Sequence, residues 1–192
     1  MENIQVFTKT NYIKKAQEKE DIMLNKERQE EVVELCQHLI QKQSYSGHED
    51  GVAAVLEEQL KKKGFDSVTV DKYGNVIGCI KGNRPGKKIL FDGHIDTVPV
   101  TDETEWQYPP FAAEIHDGKI YGRGTSDMKG AVSGFVTAAA AFAEDTKKDF
   151  AGEIYVAGVV HEECFEGVAA REISNFVKPD YVVIGEASQL NI

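Results

Sequence analysis

Short, nearly continuous apolar segments alternate with segments of helical periodicity along this chain, and this alternation limits its possible folds more than any other feature. Apolar runs of this length, bounded by turn residues, are typical of buried strands. The predicted strands are Ser67 to Asp71, Val76 to Ile80, Lys88 to Asp92, Glu153 to Val160 and Tyr181 to Gly185. Residues 113–116 and 119–121 flank Asp117-Gly118, a pair typical of a β-hairpin turn.

Four segments carry apolar residues at helical spacing or are rich in small helix-forming residues. They are Lys26 to Gln43, Gly51 to Lys63, Met128 to Glu144 and Gly167 to Val177. Helices that alternate with apolar strands cover both faces of a sheet. The sequence therefore predicts an α/β fold: a mixed, mostly parallel sheet with helices on both faces. Residues 1–25 lack clean periodicity and are predicted to be a polar N-terminal extension, with one domain following at residues 26–192.

The formal net charge of -10 argues against a nucleic-acid partner, because phosphate binding requires clustered Lys and Arg. Cys36, Cys79 and Cys164 are far apart in sequence, so we expect reduced thiols. The N-terminal region lacks the apolar stretch of a signal peptide, and no segment reaches the roughly 18 apolar residues of a membrane span. These features predict a soluble, cytoplasmic protein without a membrane partner.

His94 and Asp96 directly follow the predicted strand Lys88 to Asp92. Ligands of open α/β sheets bind outside the carboxyl ends of the strands. A neutral imidazole is a good zinc ligand, and a nearby carboxylate can accept its other N–H and fix the tautomer. His94 is therefore a candidate ligand with Asp96 as its orienting partner, although an ordinary surface histidine after a strand fits the same pattern.

A glycine-containing loop delivers Asp127 to the start of the predicted helix at Met128. A carboxylate at this position can bridge two cations. Ser126 or Asp127 could equally cap the first-turn N–H groups of the helix, without any metal. The two functions are compatible, because helix geometry would hold a bridging carboxylate still.

Acidic residues also follow two of the apolar strands: Glu162 and Glu163 after Glu153 to Val160, and Glu186 after Tyr181 to Gly185. Adjacent carboxylates repel each other unless cations or protons offset their charge. A solvated turn would explain the pair, and a helix cap would explain the single Glu186. In a metal site, one of the paired glutamates would bind metal and its neighbour would act as a general base.

Folding into one sheet would bring these four strand-to-loop junctions to one edge. Two divalent ions about 3.5 to 4 Å apart need a bridging group and a few terminal ligands. Nitrogen and oxygen ligands of this type suit zinc, with cobalt or manganese as alternatives. The combined pattern predicts a two-metal hydrolase site.

At these residues the sequence resembles the M20 metallopeptidase family, which includes deacylases, desuccinylases, aminoacylases and carboxypeptidases. The matching segments are Gly93 to Pro99, Tyr121 to Gly130, His161 to Glu163 and Gly185 to Ala187. The resemblance implies the following zinc ligands: His94 on one ion, Asp127 as the bridge, Glu163 on the other ion, and Glu186 on the first. It also implies Glu162 as general base, Asp96 as the residue that orients His94, and a cis peptide after Asp127.

The resemblance implies hydrolysis of amide bonds in N-acyl amino acids or short peptides, and relatives are often homodimers. His161 stands where many relatives have an acid, and the segment around it is similar to a selenium-metabolism-linked subgroup. Relatives continue beyond the position of Ile192 into a lid or dimerisation domain and further catalytic strands that carry a last histidine ligand. His38, His48 and His116 do not match that ligand, and we expect them to be structural or surface residues.

The expectation is therefore the N-terminal part of a zinc-hydrolase catalytic domain that is a fragment, a split gene product or a decayed copy. Such a chain would be weakly active or inactive alone and would need a complementary C-terminal half. The alternative is a non-catalytic binding module on the same scaffold. A metal-independent esterase is disfavoured, because Ser126 and Ser133 lie in no Gly-x-Ser-x-Gly segment.

Overall fold

A computed structural model describes residues 25–165 and 167–187, so nearly all of the predicted N-terminal extension lies outside the described residues. The helices and strands follow the order that the sequence predicts, apart from one short additional helix at Glu162–Phe165. In chain order they are α1 (Lys26–Ile40), α2 (Asp50–Lys62), β1 (Ser67–Val70), β2 (Val76–Lys81), β3 (Arg84–His94), β4 (Glu114–His116), β5 (Lys119–Tyr121), α3 (Gly130–Thr146), β6 (Ala151–Val159), α4 (Glu162–Phe165), α5 (Val168–Val177) and β7 (Tyr181–Ile184).

Five strands form one mixed sheet in the order β1-β2-β6-β3-β7. β3 runs parallel to both β6 and β7, whereas β2 is antiparallel to β1 and β6. The mixed sheet is confirmed, and its parallel pairing is confined to the three strands β6, β3 and β7. Their carboxyl ends therefore meet at one edge of the sheet. The β4–β5 hairpin forms a separate two-stranded sheet.

Helices cover both faces of the main sheet, as predicted. Phe91 of β3 packs against Phe135 of α3 with ring centroids 5.2 Å apart. Lys88 of the same strand donates from Nζ to the Val177 carbonyl of α5 at 3.1 Å. Side chains an odd number of residues apart in a strand point to opposite faces, so α3 and α5 lie on opposite sides. α2 lies on the same face of the sheet as α3. On that face, a Cβ atom added at Gly158 of β6 would lie 2.3 Å from Leu56 of α2.

Several helix boundaries differ from the sequence prediction by one to three residues, and two of them lie at one buried lysine, Lys129. α1 ends at Ile40 rather than Gln43, and the carbonyls of Leu39 and Lys42 beyond or near its end accept hydrogen bonds from Lys129 Nζ. α3 begins at Gly130 rather than Met128, because a wide helical turn at Thr125–Lys129 precedes it. Within that turn the dihedral angles of Asp127 and Met128 are not helical.

β7 is an edge strand and carries four consecutive apolar side chains that remain exposed. Their exposed fractions are 61% for Tyr181, 48% for Val182, 39% for Val183 and 65% for Ile184. Strands of a parallel sheet are normally covered on both faces. The part of the chain that the structure describes therefore leaves this edge uncovered.

The three cysteines are free thiols, as predicted, with Cys36 and Cys79 buried and Cys164 exposed. Among the described helices, none combines the length and the apolar character that crossing a membrane requires.

Candidate metal centre

The side chain of His94 lies at the carboxyl end of β3 and is only 1% exposed. Its Nδ1 is 3.0 Å from the main-chain oxygen of Asp96, which can only accept a hydrogen bond. Nδ1 is therefore the donor of that bond. The other ring nitrogen, Nε2, lies 2.8 Å from Asp127 Oδ1 and 3.9 Å from Glu186 Oε2. In neutral His94 the Nε2 lone pair would point toward these two carboxylates.

Asp127 and Glu186 reach the same place from different elements. Asp127 sits in the turn before α3, and the Asp127–Met128 peptide is cis, which confirms the geometry that the resemblance implies. Glu186 follows β7. Ligand atoms of His94, Asp127 and Glu186 all lie within 4.8 Å of one another. The two carboxylates are about half exposed and His94 is buried, so this cluster opens to solvent on its acidic side.

Glu162 and Glu163 lie at the start of α4, and the structure places neither in the tight three-residue cluster formed within the described ranges. Their position is set by Asp96, a fully buried carboxylate. Asp96 Oδ1 accepts a hydrogen bond from the Glu162 N–H at 3.2 Å, and Oδ2 accepts one from the Glu163 N–H at 3.1 Å. Asp96 thus acts as an N-cap for the turn that carries both glutamates.

Asp96 was predicted to orient His94 through its carboxylate. The shorter contact from His94 Nδ1 goes to the main-chain oxygen of Asp96, and the carboxylate Oδ1 is farther away at 3.5 Å. The carboxylate instead forms its short hydrogen bonds with α4 and with the Ser46 hydroxyl, which donates at 2.6 Å. Asp96 therefore links the strand end that carries His94 to the turn that carries Glu162 and Glu163.

The pKa shifts follow from burial and from this crowding of charge. Burial disfavours protonated His94, but its hydrogen bonds to Asp96 and Asp127 outweigh burial and raise the pKa of His94 to about 10. Burial raises the pKa of Glu186, and the neighbouring Asp127 raises it further. Burial also raises the pKa of Glu162, opposed by His94 and reinforced by Glu186 and Glu163. The carboxylates outnumber the one cation among them, which is the electrostatic condition that suits a bound metal ion.

Three residues near the cluster were not singled out by the sequence analysis. Asp92 lies two residues before His94 in β3, where burial raises its pKa to about 6. Lys129 is fully buried and donates from Nζ to two main-chain oxygens at 3.0 Å each. Ser46 lies in the polar loop after α1, and no sequence pattern in that loop indicates a functional residue. Sequence patterns mark where strands and helices end, but they do not show which loop folds back onto the site.

The other histidines lie apart from the cluster. His116 stacks on Tyr108 with ring centroids 3.8 Å apart, and its Nε2 is 2.7 Å from Glu114. The main-chain N–H of His161 donates to the buried Glu49 carboxylate at 3.0 Å. In the described ranges, no histidine other than His94 belongs to a group that could hold a metal ion.

Comparisons with known proteins identify the family to which this architecture corresponds. The model of peptidase family M20/M25/M40 matches residues 90–191, which is more than half of the chain. A succinyl-diaminopimelate desuccinylase 2 from Ruegeria sp. (strain TM1040) is 33% identical over 165 residues, covering 82% of this chain and 41% of that protein. The chain thus spans about two fifths of the length of the curated relatives it matches.

Solved structures agree with this assignment. An M20 family metallo-carboxypeptidase from Sulfolobus solfataricus superposes with a TM-score of 0.69 at 25% identity, covering 81% of this chain and 37% of that one. Human carnosine dipeptidase 1 superposes with a TM-score of 0.71 at 23% identity, covering 86% of this chain and 40% of that one. The matched family region contains the three clustered residues His94, Asp127 and Glu186, and it also contains Glu162 and Glu163. This chain belongs to peptidase family M20/M25/M40.

Proposed function

We propose that this chain provides most of the metal centre of an amide hydrolase that uses two divalent ions. His94, Asp127, Glu163 and Glu186 would be the ligands, with Asp127 as the bridge. The observation that carries the proposal is the convergence of His94, Asp127 and Glu186 within 4.8 Å from three different elements. An imidazole and several carboxylates form a donor set that suits zinc, with cobalt or manganese as alternatives.

Divalent ions bound here would polarise an amide carbonyl and make a nearby water molecule more acidic. The protein's own side chains would supply proton transfer and positioning. Glu162 is suited to act as general base, because burial and its carboxylate neighbours raise its pKa above the usual range of glutamate. It would take a proton from the attacking water and deliver it to the leaving amine. Asp96 would hold Glu162 in place through the main-chain N–H at 3.2 Å.

We propose N-acyl amino acids or short peptides as the substrate class. The named relatives include a succinyl-diaminopimelate desuccinylase, a carboxypeptidase and a dipeptidase, and the bond that each name implies is an amide. Glu186 in place of an aspartate slightly favours the deacylase and carboxypeptidase members over aminopeptidases. The protein's own substrate would be defined by parts of the molecule outside these residues.

We further propose that residues 26–192 form the N-terminal part of a catalytic domain and that a complementary C-terminal segment supplies the remaining ligand. The support is that the chain spans about two fifths of its curated relatives. A second support is the uncovered apolar strand β7, which lies beside Glu186. The 192-residue chain alone would then bind metal but hydrolyse amides weakly or not at all.

The test is zinc titration of the purified chain by calorimetry, alongside three variants. Asp127→Ala and Glu163→Ala remove proposed ligands, whereas Glu58→Ala removes an exposed carboxylate on the outer surface of α2 and serves as the matched control. We expect saturable zinc binding that Asp127→Ala abolishes, that Glu163→Ala weakens about 10-fold or more, and that Glu58→Ala leaves unchanged.

Zinc binding that is equally strong in all four proteins would contradict the ligand assignment. An absence of zinc binding to the unmodified chain would favour the non-catalytic binding module. Hydrolysis of N-succinyl or N-acetyl amino acids, assayed with and without a C-terminal segment of a relative, then tests the amide hydrolase itself. Metal binding with no hydrolysis in either mixture would contradict catalysis while leaving the metal site intact.

A further inference from the structure

The loop between α1 and α2, residues 41–49, folds back onto the ends of β3 and β6. Ser44 Oγ donates to the Ile95 carbonyl at 2.7 Å, and the Thr97 N–H donates to the Ser44 carbonyl at 2.9 Å. The buried Glu49 accepts the His161 N–H at 3.0 Å, immediately before Glu162. This loop therefore contacts both chain segments that carry residues of the proposed metal centre.

Ser46 makes the contact of this loop that lies nearest to the proposed chemistry. Its hydroxyl donates to Asp96 Oδ2 at 2.6 Å, and the same oxygen accepts the Glu163 N–H at 3.1 Å. The other oxygen, Oδ1, accepts the Glu162 N–H at 3.2 Å. Within the described residues, these are the hydrogen-bond donors to the carboxylate, apart from the His94 contact of 3.5 Å. Ser46 is therefore the one side chain at a short distance that fixes the rotation of the Asp96 carboxylate.

Hydrogen bonds to a buried charge are the strong ones, and a buried network becomes less ordered when one member is lost. Without the Ser46 hydroxyl, Asp96 would keep its charge but could turn away from either N–H group. Glu162 and Glu163 would then lose the cap that holds the first turn of α4. Because α4 has four residues, it has little helical structure of its own to keep these two glutamates in place.

We propose that Ser46 is a positioning residue that acts through Asp96 to hold Glu162 and Glu163 in place at the start of α4. The inference rests on the proposed metal function for its consequence in catalysis, but the positioning itself does not depend on metal. The hydrogen bond of the Ser46 hydroxyl within the described residues goes to Asp96, so the proposed effect of Ser46 passes through that carboxylate.

The first measurement is amide hydrogen exchange of Glu162 and Glu163 by NMR in the metal-free chain. Ser46→Ala should accelerate exchange of these two amides about 10-fold, because each N–H loses a fixed acceptor. Ser46→Thr keeps the hydroxyl and should exchange like the unmodified chain, and Ser46→Cys, with a weaker donor, should lie between the two. Ser44→Ala is the matched control, because it removes a buried hydroxyl hydrogen bond two residues away that does not reach Asp96.

The second measurement is zinc affinity of the same variants. Loss of a residue that supports a metal ligand typically costs about 10- to 100-fold in affinity. We expect Ser46→Ala to bind zinc about 10-fold more weakly, with Ser46→Thr and Ser44→Ala close to the unmodified chain. If the unmodified chain binds no zinc, the proposed function fails while the exchange measurement still decides the role of Ser46.

Three results would overturn the inference. Glu162 and Glu163 could exchange at the same rate in Ser46→Ala as in the unmodified chain. Ser44→Ala could accelerate these amides as strongly, which would indicate general loosening of the loop. Ser46→Thr could behave like Ser46→Ala, which would show that the hydroxyl is not the group that matters.

Discussion

Lys129 is a fully buried lysine, and its Nζ donates hydrogen bonds to carbonyls at the end of α1. It belongs to the same turn as Asp127. Its ammonium group donates to two main-chain oxygens rather than to a carboxylate. A positive charge at a helix C-terminus is favourable, because that end of the helix dipole is negative. Nothing in the sequence marks this lysine as buried, because its neighbours Met128 and Gly130 read as an ordinary helix start. Lys129 connects the proposed bridging ligand to the core.

Burial lowers the pKa of Lys129 from 10.5 to about 8, although Cys36 and Asp96 oppose the shift. Between these two values the unfolded chain binds more protons at this site than the folded chain, so the free energy of unfolding rises with pH. One pKa unit corresponds to about 1.4 kcal/mol, so the gain is on the order of 3 kcal/mol by pH 10.5.

Urea unfolding between pH 7.5 and 10.5 checks this prediction. Lys129→Met should flatten the rise in unfolding free energy, whereas Lys62→Met, which removes an exposed lysine from α2, should keep it. The comparison uses the slope with pH, because Lys129→Met also loses two hydrogen bonds at every pH. Equal slopes in both variants would mean that Lys129 does not titrate in this range.

At the residue scale, the sequence identified every member of the convergent cluster, because each of these residues directly follows a strand or precedes a helix. It did not identify Ser46, because the contact depends on a loop that returns to the sheet about 50 residues from its partner. It also gave no basis for separating the two glutamates of α4 from the tight cluster of His94, Asp127 and Glu186. Side-chain direction within a turn depends on its capping, which pattern alone does not specify.

At the element scale, close contacts between backbone segments decide which glycines can be replaced by alanine without loss of stability. Gly152 in β6 has a φ of +96°, and a Cβ there would lie 2.0 Å from the Lys87 carbonyl oxygen. Gly134 in α3 has open space, with no neighbouring atom within 4 Å of an added Cβ. The same Gly→Ala change should therefore have opposite effects at these two positions.

We expect Gly152→Ala to lower the free energy of unfolding by about 2 kcal/mol or more, because it combines a left-handed backbone with a clash against β3. Gly134→Ala should raise it by about 0.5 to 1 kcal/mol, since alanine loses less backbone entropy in a helix. Thermal or urea unfolding of the two variants measures both signs. A stabilised Gly152→Ala would show that the pairing of β3 and β6 differs from the one described.

The helices and strands themselves follow closely from sequence, because their periodicities are long and their turn residues are specific. The β4–β5 hairpin illustrates this, since Asp117 and Gly118 both have positive φ, as the preferred two-residue turn requires. Boundaries were less predictable. The end of α1 and the start of α3 depend on Lys129, a tertiary contact that crosses about 90 residues of chain.

At the scale of the whole molecule, the sheet is asymmetric. β1 and β2 contribute none of the clustered side chains, whereas β6, β3 and β7 each end in one or more candidate site residues. The sequence predicted a mixed sheet but not its strand order, because order depends on long-range pairing that local periodicity does not encode. In consequence, it could not show that the strand leading to Glu186 would lie at an edge.

The exposed apolar strand β7 predicts association of the chain in solution, because a free strand edge can pair with another chain. Val183→Lys should shift the 192-residue chain toward monomer, since a lysine on an edge strand opposes edge-to-edge pairing. Sedimentation velocity over a range of concentrations measures the shift. Ala54→Lys, which adds the same charge to the exposed surface of α2, is the control and should associate like the unmodified chain. Identical behaviour of the two variants would remove β7 from the association.

The position of Glu186 two residues beyond β7 links the edge of the sheet to the chemistry through binding equilibria. Any polypeptide that pairs with β7 would restrict the positions that Glu186 can adopt. It would therefore change the affinity of the site at His94 and Asp127 for a cation. Thermodynamic linkage is reciprocal: the cation would change the affinity of that polypeptide by the same factor. Binding of a polypeptide at β7 and binding of a cation at the metal centre would then strengthen each other.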